Sequence, residues 1–287
     1  MAYLFITLVL LCLGSCQAAP DVSPVREPAQ KESSGMNSTA TLENLLESAN
    51  WDAVEEAQRE GPAALPAIRQ YARNRNYRTR QISLACAARI GGGEAAAEII
   101  AVGLTDDNIN VQLQAAKELS SGKFPSAAEA VLEQLGHGKD YLVREFLALA
   151  AGYIPGGRTV DVLRPLAEGK GALSTNVRMA LARLGDAQAL SELTKDLSSS
   201  SPRTRYEALD QLRYVGNPKL IPYAKRLLDD KEPALRIGPA IRPRFRRVCD
   251  QAVDTLVLML KLRPPFPIAA ERIYTDEELR QVCELAQ

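Results

Sequence analysis

Apolar positions along the chain recur with helical spacing, in blocks that repeat. Five glycines, Gly91, Gly122, Gly152, Gly185 and Gly216, each close an apolar-periodic segment and stand 31, 30, 33 and 31 residues apart. At a helix end a glycine supplies the positive φ that other residues resist. The segments before them share a pattern: Thr79-Arg80-Gln81-Ile82-Ser83-Leu84, Val111-Gln112-Leu113-Gln114-Ala115-Ala116, Val143-Arg144-Glu145-Phe146-Leu147-Ala148, Val177-Arg178-Met179-Ala180-Leu181-Ala182 and Thr204-Arg205-Tyr206-Glu207-Ala208-Leu209. A Val or Thr is followed by Arg or Gln, then by small and apolar residues that let neighbouring helices approach closely. A second helical block precedes each of these. The spacing predicts first helices over roughly 63–73, 94–104, 125–136, 159–168, 187–198 and 218–229, and second helices over roughly 78–90, 109–120, 141–151, 174–184, 202–215 and 245–261. Asp140 and Ser174 fit as N-caps, and Ser201-Pro202 as an N-cap followed by proline at the first helical position. No segment sustains the alternation of a strand. A helix-turn-helix unit recurring near 31 residues predicts an all-α solenoid of about six stacked helical hairpins, because one pair cannot bury its own face.

The flanks read as caps. Leu42, Leu45 and Leu46 share a helical face, and Asn50 precedes a helix from Trp51 to Glu60 that Gly61 ends. Beyond the repeats, Arg263-Pro264-Pro265-Phe266-Pro267 is extended, and Thr275-Asp276-Glu277-Glu278 is a capping box opening a last short helix. The expected division is 1–15, 16–40, 41–62 (N-terminal capping helices), 63–262 (the solenoid) and 263–287 (C-terminal extension and capping helix).

The helix with Val-Arg-x-x-Ala and a terminal glycine resembles the HEAT-like repeats, in the short bacterial form also seen in phycobilisome lyases. The resemblance covers residues 63–260. It implies that Arg80, Arg144, Arg178 and Arg205 pair with acidic side chains between repeats rather than forming a ligand-binding ladder. Two departures stand out: the second repeat has Gln112 at the Arg position, and the sixth carries an insertion of ~15 residues with Cys249 at that position.

The first fifteen residues bear on address. Leu4 to Leu13 is an apolar run of about ten residues, too short to span a bilayer and suited to a secretory signal. It meets Leu13-Gly14-Ser15-Cys16, which resembles the bacterial lipobox, although the segment before it has no Lys or Arg. The resemblance implies cleavage before Cys16 and acylation of that residue, with Gln17 favouring the outer membrane, facing the periplasm; ordinary cleavage near Ala18 or Ala19 is the rival. Residues 17–40 are rich in Pro, Ser, Glu and Ala and have no apolar periodicity, so they read as a flexible tether reaching on the order of 25–30 Å.

Composition narrows the chemistry. Lys plus Arg and Asp plus Glu are 35 each, so no global field draws the chain to nucleic acid, and any charge-driven recognition comes from local clusters. The insertion Lys231–Arg247 carries Arg236, Arg242, Arg244, Arg246 and Arg247 against one acid, Glu232, interleaved with Leu235, Ile237, Ile241 and Phe245 and stiffened by Pro233, Pro239 and Pro243. It suits an acidic protein partner or an anionic envelope polymer; packing on the last repeat is the alternative. A second cluster, Arg69, Arg73, Arg75, Arg78 and Arg80 with Tyr71 and Tyr77, lies in a stretch without acids from Gly61 to Gly93; Arg and Tyr together are common interface anchors. His137 is the single histidine and reads as an ordinary loop residue. It cannot supply the several His–Glu pairs by which deoxyhypusine hydroxylases, which share this fold, hold iron. An exported chain would not meet the cytoplasmic substrates of phycobilin lyases, and neutrality together with export argues against the HEAT-like DNA glycosylases, which need a basic groove and intracellular DNA. Cys86 reads as a small buried residue, and Cys249 and Cys283 are candidates to pair.

The resulting expectation is a non-enzymatic, cofactor-free scaffold or inhibitor, anchored in the cell envelope through Cys16. Its partner is a protein and not nucleic acid, contacted by Arg236, Arg242, Arg244, Arg246, Arg247, Arg69, Arg73 and Tyr77. The alternatives are an enzyme with its site in the concave groove and a binder of an anionic envelope glycan.

Overall fold

A computed structural model describes residues 41–91, 93–239 and 241–287. The expected signal segment and tether, with Cys16, lie outside the described residues. Two compact units divide the chain at residues 130 and 131, and each is built from stacked helical hairpins.

In the first unit, α1 (Leu42–Glu47) and α2 (Ala53–Glu60) precede the hairpins α3 (Leu65–Tyr71) with α4 (Tyr77–Ile90) and α5 (Glu94–Val102) with α6 (Ile109–Leu119). The boundary between units falls inside α7 (Ala128–His137). The second unit continues with α8 (Tyr141–Ala151), α9 (Gly157–Ala167), α10 (Ala172–Arg183), α11 (Ala187–Leu197), α12 (Pro202–Val215) and α13 (Ile221–Arg226). A strand pair, β1 (Pro233–Ile237) and β2 (Arg244–Arg247), then leads to α14 (Val248–Leu260) and α15 (Asp276–Leu285).

The two helices of a hairpin are buried differently. First helices bury one stripe: α11 hides Ala189, Leu193 and Leu197, four residues apart. Second helices form an inner row. In the first unit α4 lies between α2 and α6; in the second, α10 lies between α8 and α12, and α12 packs on α14. A helix sandwiched in this way is apolar over most of its circumference, and α10 accordingly buries Leu173, Ser174, Asn176, Val177, Met179, Ala180, Leu181 and Ala182. Alanines keep the row close: Ala85, Ala87, Ala115, Ala116, Ala148, Ala150, Ala180, Ala182, Ala208 and Ala252 are all buried.

Polar side chains in the row bond to the backbone of neighbouring helices. Thr79 Oγ1 donates to the Leu46 carbonyl at 3.1 Å, Asn176 Nδ2 to Glu145 at 3.0 Å and Thr255 Oγ1 to Leu209 at 2.9 Å. Each satisfies a buried polar group that would otherwise oppose the packing.

Several local expectations are corrected. Gly91, Gly122, Gly185 and Gly216 take positive φ as the helix ends require, but Gly152 is right-handed at φ −64°. Its reason for being glycine is space: a Cβ there would lie 2.0 Å from Tyr214 Oη and 3.1 Å from Ala180 Cα. Tyr214 reaches over it to donate to the Leu149 carbonyl at 2.5 Å. Ser174 sits inside α10, which starts two residues earlier, and donates to the Gly171 carbonyl. Cys249 and Cys283 are unpaired, the first buried in α14 and the second exposed on α15; burial pushes the Cys249 thiol up to about 11 and that of Cys86 up to about 12. The Thr275–Glu278 capping box forms as the sequence indicates.

Gly152→Ala should destabilise the chain by about 1–3 kcal/mol in urea unfolding, through overpacking against Tyr214. In a Tyr214→Ala background the same change should cost less than half as much. Equal cost in both backgrounds would show that the close approach does not set this glycine.

Candidate functional site

The insertion is not a loop but an antiparallel hairpin. Leu235 pairs with Arg246, Arg236 with Phe245 and Ile237 with Arg244, after a bulge between Pro233 and Leu235. Strand alternation assigns its charges to different fates. Leu235, Ile237 and Arg246 lie on the face toward the helices, where β1 meets α12 and β2 meets α14. Arg236 and Phe245 lie on the opposite face, both exposed. The tip turns at Gly238, φ +77°, where the Arg242 N–H donates to the Pro239 carbonyl at 3.1 Å.

Arg246 is only 2% exposed. Its guanidinium donates to Asp254 Oδ2 at 2.8 Å, to the Asp250 carbonyl at 3.0 Å and to Tyr206 Oη at 3.2 Å, and it also reaches the Ala270 carbonyl. Burial works against its charge, but Asp254, Tyr206 and Asp250 outweigh burial and hold its pKa above the ordinary value. Asp250, fully buried, accepts from the Arg247 backbone N–H at 2.8 Å, from the Arg247 guanidinium at 2.7 Å and from the Tyr274 N–H at 2.9 Å. Tyr274 Oη donates to the second oxygen of Asp254 at 2.6 Å. These contacts fasten the hairpin base, the start of α14 and the segment before α15 together. Arg246 and Arg247 therefore belong to the hairpin's root and are not available to a partner, contrary to the sequence expectation.

The remaining insertion residues point out. Ile241 at the tip is 92% exposed and Phe245 48%. Arg236, Arg242 and Arg244 are exposed around them, and Arg242 and Arg244 make no ion pair among the described residues. Lys231 is held by Asp276 at 2.8 Å, and Glu232 by Arg205 at 3.2 Å.

In the first unit's cluster, Arg69 and Arg80 are paired with acids that lie outside its acid-free stretch. Arg69 pairs with Glu98 at 2.7 Å, Tyr71 Oη donates to Glu47 at 3.0 Å, and Arg80 is bidentate to Asp106 at 2.7 Å with Asp107 at 2.6 Å. Burial alone would raise Asp106; Arg80 and the Asn108 N–H outweigh it and hold the carboxyl below its ordinary value. Arg73 is exposed, Tyr77 is half-buried and meets the Arg78 guanidinium, and Arg69, Arg73, Glu98 and Val102 line a shallow cleft.

The repeated arginines divide in two. Arg80 and Arg205 pair with acids in the following repeat, Arg205 with Asp230 at 2.6 Å. Arg144 and Arg178 instead donate to the Leu135 and Ala167 carbonyls of their own hairpins. Gln112 substitutes for Arg with a single donor to the Asp106 carbonyl. His137 ends α7 and is exposed. Among the described residues no group of three His, Cys, Asp or Glu is placed to hold a metal, and no helix is long and apolar enough to cross a membrane.

Comparison with known proteins places this geometry. No protein-family model matches the chain, and no curated protein matches it. Among solved structures it is similar to the complex of CpcE and CpcF of phycocyanin lyase from Nostoc sp. PCC7120, at 17% identity over 93% of this chain and 98% of that chain, with a TM-score of 0.51. An archaeal HEAT-like repeats protein from Thermococcus onnurineus NA1 is 16% identical over 77% of this chain and 96% of that chain, at a TM-score of 0.41. The likeness shows the fold, an all-α HEAT-like repeat solenoid of the phycobilisome-lyase type. The expectation that the protein is not an enzyme is overturned: a phycocyanin lyase uses this fold, so neither the repeats nor the lack of a nucleophile–base pair in the sequence excludes catalysis.

Arg246→Ser should lower stability by about 3–5 kcal/mol, because Asp254 is left buried and unpaired. Arg242→Ser and Arg244→Ser should each stay within about ±0.5 kcal/mol. Similar melting temperatures for all three variants would remove the distinction between root and tip.

Proposed function

We propose that the protein is a scaffold that holds another protein on its helical repeats and is anchored in the bacterial envelope by a lipid on Cys16. The observation that carries the binding half is a pair of adjacent large apolar side chains left exposed where a second helix begins: Tyr141, 50% exposed, and Leu142 open α8. Single exposed apolar residues are ordinary, but two side by side at the start of an otherwise buried helix suit contact with another protein. One solved structure similar to this fold is a complex of two proteins. The anchoring half rests on Leu13-Gly14-Ser15-Cys16, and Gln17 favours the outer membrane, facing the periplasm.

Each half has its own test. Cys16→Ala should abolish incorporation of labelled fatty acid; undiminished labelling removes the anchor. A photo-crosslinking residue at Tyr141 should give one dominant protein adduct in intact cells. Tyr141→Ser with Leu142→Ser should reduce partner binding at least tenfold at an unchanged melting temperature. Absence of any protein adduct, or binding indifferent to the double change, would sink the scaffold reading.

A further inference from the structure

We propose that the β1–β2 hairpin is a membrane-surface probe: its tip enters the interface of an anionic phospholipid layer, with Ile241 and Phe245 as the apolar wedge and Arg242 and Arg244 as the phosphate-binding collar. The charge pattern points to an anionic occupant, since no carboxylate occurs from Pro233 to Cys249 and the nearest, Glu232 and Asp250, are engaged by Arg205 and Arg247. The basic side chains exposed at the tip are all arginine, whose planar fork grips phosphate oxygens in pairs.

The tip's backbone suits partial desolvation. Pro239 and Pro243 carry no N–H, and the Arg242 N–H is already bonded to the Pro239 carbonyl. Those three positions leave no free N–H to lose water when the tip enters an apolar layer. Arginine stems can lie along the apolar boundary while their heads remain at phosphate level.

A lipid layer fits better than a protein here. A specific protein contact needs about 800 Å² per partner with matched shape, more than one short hairpin tip presents. A deformable lipid surface needs only an apolar point and a basic rim. The root holds this element firmly, through Arg246 to Asp254 and Arg247 to Asp250, so the tip is presented without ordering a loop on contact. The inference needs neither the lipid on Cys16 nor a protein bound at Tyr141.

The test uses the chain from residue 16 onward with Cys16→Ser, so that no acyl chain contributes. In vesicle flotation it should bind phosphatidylcholine vesicles containing phosphatidylglycerol and not phosphatidylcholine alone, and 0.5 M salt should weaken binding at least tenfold. Each arginine near an anionic surface contributes about fivefold, so Arg242→Ser with Arg244→Ser should lose at least tenfold. Ile241→Ser should lose severalfold, with both variants melting as wild type does. No binding to the anionic vesicles, or variants that bind as wild type does, overturns the proposal. So does a photo-crosslinker at Ile241 that labels a protein and no lipid in cells, which would transfer the hairpin to a protein partner. The scaffold reading is tested at Tyr141 and stands or falls separately.

Discussion

A helix with apolar side chains on nearly every side has no stable position at a protein surface, and the second helices of this chain are of that kind. α10 exposes so little of itself that it must be covered by α9, α8, α12 and α11. Neighbours within the row have to approach closely, which explains the alanines and the glycine at position 152, where no Cβ fits beneath Tyr214. Close backbones bring carbonyl oxygens within reach of side chains on the next helix. Asn176 and Thr255 use that proximity. The packing constraint thus selects both the small residues and the few polar ones, and a larger residue in the row costs contacts on two neighbours at once.

The hairpin insertion meets the opposite problem. It breaks the repeat and brings charge into the interior. Two cations and two carboxylates, Arg246, Arg247, Asp250 and Asp254, converge with Tyr206 and Tyr274. Such a cluster is a weak source of net stability, because desolvation offsets most of the attraction. Its consequence is specificity: each oxygen of Asp250 and Asp254 already has a donor, and a shifted hairpin would strand one of those charges. The Arg246 Nε remains without a partner, so the network is nearly, not fully, satisfied.

Legibility in the sequence followed the range of the interactions. Helix positions came from local periodicity and glycine spacing, and the structure moves most of the boundaries by only a few residues. Short alternation, Leu235-Arg236-Ile237 and Arg244-Phe245-Arg246, was too brief to separate from an irregular loop, and pairing across the intervening turn is what makes it a sheet. The Arg69–Arg80 stretch looked strongly basic because its acids, Glu47, Glu98, Asp106 and Asp107, lie before it or after it in the chain. One further signal is legible in the sequence. Asp250 and Asp254 stand one turn apart in the apolar run Val248–Leu260, and buried carboxylates demand cationic partners. The nearest cations in the chain are Arg246 and Arg247.

Arginines of similar sequence context on this hairpin therefore do different work, and register decides which. Arg244 and Arg246 occupy the same face of β2, yet one reaches water and the other lies beneath Tyr206 and α14, because the helices cover the strand only near its base. Moving the register by one residue would exchange Arg246 for Phe245 or Arg247 at the buried position. Asp254 would then lose its partner, and the tip would lose its apolar side chain or its charge. Fixing the root therefore also fixes what the tip displays, and any recognition by the tip depends on buried charges that no partner touches.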